Sequence, residues 1–291
     1  MAVSPRVLRR RLRSVQSTGK IMKAMELVAA SHMRKAIQLV MGGRPYAETI
    51  SSLVERLLRS PGASLKHPLL KVLPPVEHDS KRVAMLVFNS DRGLCGGFNT
   101  QIARAALEYM RGRSHDQFGV VTIGSRVERQ IRSAGFQIQA SFPAFSKKAS
   151  LDQLHPLYQY AREIFLKGEV DQVCMVYTHF KSALVQQVRI ETLLPIEVKV
   201  SALESCDELV EPSAEVVFDH LLPRLIDAHV YQAALDSAAS EHSARMLAMR
   251  SASDAAKDMS EGLKLSLNQA RQASITREIS EISAGKAALT A

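Results

Sequence analysis

The stretch AEVVFDHLLPRLIDAHVYQAALDSAASEHSARMLAMRSASDAAKDMSEGLKLSLNQA, residues 214–270, decides the fold. Small and apolar residues recur in it at steps of three and four: Leu221, Leu225, Ala228, Tyr231, Leu235, Ala238, His242, Met246, Met249, Ala252, Ala256, Met259, Leu263, Leu267 and Ala270. That spacing is a heptad-like seam. Ser213 before it has the chemistry of an N-cap, and Glu215 suits the first turn. Continued to residue 291, the helix would be on the order of 100 Å long. No small domain can bury such a rod, so it needs a partner along its length.

The partner is at the other end of the chain. From Val3 to about Val40, Leu8, Leu12, Val15, Met22, Met25, Ala29, Met33, Ala36 and Val40 fall near one helical stripe. Gly19, Gly42 and Gly43 each weaken this helix by up to about 1 kcal/mol relative to alanine. Pro45 then predicts a bend or a restart, with Tyr46 to Leu58 as a second helical piece ended by Ser60, Pro61 and Gly62. Pro223 predicts a kink in the C-terminal rod.

Between the helices the texture changes. Residues 81–88, KRVAMLVF, form a compact run of strand formers, and Phe118–Ile123, Val173–Phe180 and Val185–Leu194 read as three further strands. Helical patterns cover Phe98–Met110, Ser125–Ser133 and Leu151–Leu166, while Lys66–Pro75 and Pro195–Pro212 read as irregular. Strands alternating with helices predict a Rossmann-like α/β domain with a largely parallel sheet. The fold class is therefore α/β: a long antiparallel two-helix coiled coil, residues 1–60 and 213–291, with an α/β domain, residues 76–200, inserted between them. The C-terminal helix is the longer by about twenty residues, so roughly 30 Å of it should project beyond the pair.

Composition narrows the function. The chain has 291 residues, 46% of them apolar, no tryptophan and a net charge of +9. Residues 1–35 carry nine Lys or Arg against Glu26 alone, whereas residues 214–291 carry ten acids and eight bases. A basic helix admits nucleic acid or an acidic protein surface as partner, but aromatic residues are not interleaved with the charge. No apolar run spans a bilayer, and no secretory leader is evident at the start. Cys95, Cys174 and Cys206 have no CxxC spacing, which suits reduced thiols.

No catalytic or metal-ligating constellation stands out. Gly93-Leu94-Cys95-Gly96-Gly97 follows a strand and precedes a helix, as a phosphate loop does, but matches neither GxGxxG nor GxxxxGK[ST]. It reads as a tight turn, with Asp91 and Arg92 as local turn partners. The nine histidines contain no HExxH pair, and His242, on the seam, suits a polar contact across the coiled coil. No cofactor, metal or small-molecule substrate is expected. A basic coiled-coil nucleic-acid binder and a nucleotide-dependent enzyme using residues 93–97 are two function classes to weigh at this point.

Three separated stretches carry a family resemblance: STGKIMKAMELVAAS at 17–31, SDRGLCGG at 90–97 and ARQASITREI at 270–279, with RPYAET at 44–49 between them. In this order they resemble the gamma subunit of F-type, proton-translocating ATP synthases. The resemblance implies a non-catalytic central rotor shaft turning inside three alpha and three beta subunits, seated on the membrane c-ring with an epsilon subunit. By position it implies beta-subunit contacts at Arg271, Gln272 and Thr276, and at Met25 and Arg245, with Lys20 and Lys23 facing an acidic partner segment. Glu211 matches the region that approaches the membrane ring and epsilon. The cysteine-bearing insert of chloroplast relatives is missing, which implies an ATPase rate indifferent to thiol redox state. Together with the absence of a transit peptide this implies a bacterial protein, peripheral on the cytoplasmic face of the inner membrane.

Overall fold

The computed structural model describes residues 4–58, 67–70, 80–145, 151–196, 210–211 and 213–290. The elements run α1 (Pro5–Leu58), β1 (Arg82–Phe88), α2 (Phe98–Gly112), β2 (Gln117–Ile123), α3 (Glu128–Ser133), β3 (Gln137–Phe142), α4 (Leu151–Leu166), β4 (Gln172–Phe180), β5 (Gln186–Leu194) and α5 (Ala214–Thr290). Contacts divide the chain into two compact units, Met1–Ala29 with Met246–Ala291, and Ala30–Arg245. Helices α1 and α5 contribute to both.

The expected mixed α/β class with long terminal helices is the observed one. Helix α1 is one unbroken helix of 54 residues, not two pieces. Pro45 is tolerated because it lies on an exposed face together with Met41, whose carbonyl it cannot serve and water can. Pro45 in turn offers its own carbonyl to Thr49 Oγ1 at 2.7 Å. Helix α5 likewise runs through Pro223 as one helix of 77 residues. Ser213 caps it as expected, accepting the Val216 amide on Oγ at 3.4 Å and the Val217 amide on its carbonyl at 3.2 Å.

In the first unit, the α1 positions shielded from solvent are Pro5, Leu8, Leu12, Val15, Gly19, Met22, Glu26 and Ala29. From Leu8 onward they step by four and three, the a/d rhythm of a coiled coil. Met25, placed on the stripe by the sequence reading, is 42% exposed; its neighbour Glu26 holds the seam position. The same shift occurs in α5, where Met259 is 57% exposed and Ser260 is buried. Among the shielded positions there, Met249, Ser253, Ala256, Ser260, Leu263, Leu267, Ala270 and Ser274 keep the same four-and-three step. A strict heptad, not the largest apolar residue, sets the face.

Gly19 sits where the two helices approach closely, since a Cβ built on it would lie 3.2 Å from Ala256 Cβ. Alanine there would gain helix propensity and lose little room. Gly19→Leu should instead force the pair apart and cost about 1–3 kcal/mol, read as a lower melting temperature. A neutral result would mean that the seam is not tightly packed at this point.

In the second unit the sheet order is β3-β2-β1-β4-β5, with β1 parallel to β2 and β4, β2 parallel to β3, and β5 antiparallel to β4. The sheet thus has five strands where the sequence predicts four. Strand β3 escapes a hydrophobicity reading because it is a half-exposed edge strand in which Gln and Ser alternate with Ile, Ala and Phe. The expected helix over Ser125–Ser133 is only the six residues of α3, because Gly124 and Ser125 belong to a turn. Strand β1 alternates cleanly. Ala84, Leu86 and Phe88 join a core with α4 and the Phe218–Ala234 part of α5, while Met85 and Val87 join one with α2 and α3. Cys95 and Cys174 are buried thiols, and Cys206 lies outside the described residues.

Candidate partner-binding surfaces and the filled crevice

A 3-2-1-4 strand order opens a crevice at the carboxyl ends of β1 and β4, which is where doubly wound folds bind nucleotides. The turn at 93–97 lies there, with Leu94 at φ 64° and Gly96 at φ 56° turning the chain into α2. Asp91 performs the structural role expected of it, accepting the Ser125 amide at 3.1 Å and the Ala144 amide at 2.9 Å. Asn89 ties the same end of β1 to the next turn through Gly124 O at 3.0 Å and the Arg126 amide at 3.1 Å.

Helix α5 occupies the crevice. Its Ala234 lies in one core and its Ala244 packs against the other, so the helix crosses the rim of the sheet between them. Ser240 Oγ donates to Thr178 O at 3.1 Å, and Ser243 Oγ donates to Ala183 O at 2.7 Å. Arg245 reaches Gly93 O at 3.4 Å and Glu241 Oε1 at 2.7 Å. What remains beside Phe88, Asn89, Ser237 and Glu241 is a cavity of about 10 Å³, against roughly 300–1,000 Å³ for a small-molecule site. The turn at 93–97 lends the helix its Gly93 carbonyl, while Leu94, Gly96 and Gly97 stay exposed, a tight strand-to-helix turn as the sequence predicts.

Ionic groups reinforce the joint. Asp236, with a side chain 2% exposed, faces His179 Nδ1 at 2.7 Å and Arg44 Nη2 at 3.7 Å. Arg44 also donates to Phe180 O at 3.1 Å. Burial raises the Asp236 carboxyl above its ordinary range, while His179 and then Arg44 pull it back. Burial likewise raises Glu241, opposed by Arg245. Sequence reasoning missed these residues, although the serines at 240 and 243 on an apolar stripe were the available signal. His242 meets His32 across the helix pair in a tilted ring contact, with centroids 5.1 Å apart.

A second cavity, about 360 Å³, lies between α1, the sheet and α5, lined in part by Glu48, Ser51, Glu55, Tyr177, Glu191 and His229. His229 Nε2 meets Ser51 Oγ at 3.2 Å, and burial lowers its pKa below the usual 6.5. The folded state then binds fewer protons than the unfolded chain, so stability should fall as pH drops below about 6.5. His229→Gln should flatten that fall, checked by urea denaturation at about pH 7.5 and about pH 5.5. An unchanged slope would show that His229 is not the group responsible.

The partner residues implied by the resemblance fall in several places. In the first unit Lys20, Lys23 and Met25 are all exposed, and Lys23 Nζ pairs with Glu26 Oε2 at 2.9 Å. Beside them Ile21, Leu27 and Val28 are exposed apolar residues, so this face is mixed in character rather than purely basic. Arg271, Gln272 and Thr276 are exposed on α5, and Thr276 Oγ1 donates to Gln272 O at 3.0 Å. Every residue from Ile275 to Lys286 is exposed. In the second unit Arg245 is turned inward, its side chain 15% exposed, while Glu211 is exposed ahead of α5.

Comparison with known proteins accounts for this architecture. The chain matches the ATP synthase family model over residues 4–289. It is 40% identical to the ATP synthase gamma chain of Pelotomaculum thermopropionicum over 98% of this chain and 99% of that one. The gamma chain of Herpetosiphon aurantiacus is 41% identical with the same coverage. A chain of the Tetrahymena thermophila mitochondrial ATP synthase central stalk and c-ring superposes with TM-score 0.61 and 26% identity, covering 80% of this chain and 99% of that one. A chain of the Euglena gracilis mitochondrial ATP synthase shares the fold with TM-score 0.68 over 98% of this chain and 94% of that one, at 17% identity. On a match that runs almost from end to end, the chain belongs to the ATP synthase gamma-chain family.

Proposed function

We propose that this chain is the central rotor shaft of an F-type ATP synthase, coupling proton flow through a membrane ring to ATP synthesis or hydrolysis by rotation. The full-length match to gamma chains carries the reading. The physical form of the chain suits a shaft, being a heptad-paired rod whose α5 segment from Ile275 to Lys286 is exposed on all sides. The basic nucleic-acid-binding alternative finds no support among the relatives.

The shaft carries torque and leaves bond chemistry to its partners, a role supported by a nucleotide crevice already filled with its own helix. Three alpha and three beta subunits surround it, and epsilon and the c-ring hold its base. No nucleic acid or small-molecule substrate binds it directly. No described helix is long and apolar enough to cross a membrane, so the chain joins the cytoplasmic face of a bacterial inner membrane through these partners.

Lys20, Lys23 and Met25 meet a beta-subunit acidic segment, with the neighbouring exposed Ile21 and Val28 supporting an apolar share of the contact. Exposed ion pairs contribute about 0–1 kcal/mol each, so many small contacts fit better than one clamp. Arg271, Gln272 and Thr276 touch a beta-subunit loop, and Glu211 approaches the ring and epsilon. Arg245 contributes to the beta contact only when it leaves Glu241.

Co-expression with alpha and beta subunits tests the reading. A stable complex should contain one copy of this chain per three beta subunits. Its ATPase should be lost when a cross-link fixes the shaft to one beta subunit and restored when the link is cut. Failure to assemble, or full ATPase with the shaft fixed, would overturn it.

A further inference from the structure

We propose that the α5 segment from Asp236 to Arg245 is the torsional joint through which the α/β domain grips the shaft helix. Side chains of α5 hold main-chain carbonyls on the rim of the sheet. The inference rests on the shaft reading and assigns the path that torque takes within the Ala30–Arg245 unit.

The rim contacts are alike in kind. Ser240 holds Thr178 O, Ser243 holds Ala183 O, and Arg245 holds Gly93 O. Asp236 meets His179 beside them, and Arg44 ties the neighbouring helix to Phe180 O. Positions 236, 240 and 243 share one face of a helix. Their partners lie at the end of β4 and in the turn that leads to β5; the acceptors of Arg245 lie in the turn after β1. The grip thus takes hold of the sheet rim at separate points.

Geometry explains why such contacts would carry load. Apolar packing resists separation but is non-directional, so by itself it resists turning of a smooth helix weakly. A hydrogen bond prefers a narrow range of length and angle, and one made to a main-chain carbonyl pulls on the sheet rather than on a mobile side chain. Ser240 and Ser243 are both fully buried, at 0% exposure, which keeps water from replacing the bonds. Short serine side chains also bring the helix close to the rim, leaving little slack.

The experiment uses the assembled alpha–beta complex, immobilised by its beta subunits, with a rod attached at Arg111→Cys on α2. Angular variance of the rod is measured while the motor waits between steps, alongside ATPase rate. Ser240→Ala with Ser243→Ala should raise the variance about twofold, because sliding apolar contacts are left to hold the angle, while the ATPase rate stays unchanged. A disulfide between Ser243→Cys and Ala183→Cys should narrow the variance below wild type, and decides the matter alone if the double alanine variant does not assemble. Unchanged variance in the disulfide variant, or in the double alanine variant if it assembles, would overturn the joint, since a purely structural role alters melting temperature and not the dwell angle. A wild-type rod that never rotates would instead overturn the shaft reading on which the joint rests.

Discussion

Replacing Asp236 with alanine should cost about 3–5 kcal/mol of folding stability, the range for removing one member of a buried ion pair. Asp236 is 2% exposed and has His179 at 2.7 Å and Arg44 at 3.7 Å. Its loss leaves the His179 ring and the Arg44 guanidinium without the carboxylate they share. Asp236→Asn should cost less, because an amide oxygen can still accept from the His179 ring. Arg44→Met combined with Asp236→Leu should recover part of the loss, since a well-packed apolar replacement of a buried pair is often neutral. Urea denaturation of the three variants gives the comparison. A cost below about 1 kcal/mol for the alanine variant would mean that water reaches the site and that burial does not govern it.

The second large effect is expected at Gly124. Its φ is +105°, outside the region open to other residues, and a Cβ there would lie 2.6 Å from the carbonyl oxygen of Asn89. Backbone strain alone costs about 1–3 kcal/mol. The clash adds to it, because Asn89 is fixed by the β1–β2 ladder and by its own hydrogen bonds to Val87 O and Gly124 O. Gly124→Val should therefore leave little folded protein, read from soluble yield and circular dichroism. Gly135 provides the control. It too has positive φ, +90°, but open space around its Cβ position, so Gly135→Ala should show the strain without the clash. Equal losses at the two sites would refute the role given to the Asn89 contact.

The filled crevice gives the chain's α/β domain a reason to exist. A doubly wound sheet ordinarily presents its carboxyl rim to a ligand. Here the rim holds a helix, through serines and an arginine bonded to main-chain oxygen. The turn at 93–97 contributes its Gly93 carbonyl to that hold, and it lacks the lysine a nucleotide loop would need.

Sequence alone determined the long helices, their pairing rhythm and the alternating middle, because heptad and strand periods are local patterns that burial imposes on any such chain. Its three family stretches also determined what the protein is related to. It misplaced the seam at Met25 and Met259, since hydrophobicity there outweighs register; Glu26 and Ser260 take the inner positions because the a/d step falls on them. It missed β3, whose pairing with β2 is decided across the sheet and leaves an edge strand with polar residues. It predicted a break at Gly42, Gly43 and Pro45, where tertiary contacts to α5 and the sheet hold one helix against a weak local preference. Only the tertiary structure could bring Asp236, Ser240, Ser243 and Arg245 to the rim residues His179, Thr178, Ala183 and Gly93, more than fifty positions away in the chain. Nothing in local sequence encodes a contact made between a helix side chain and a distant main-chain carbonyl, because every residue offers the same carbonyl.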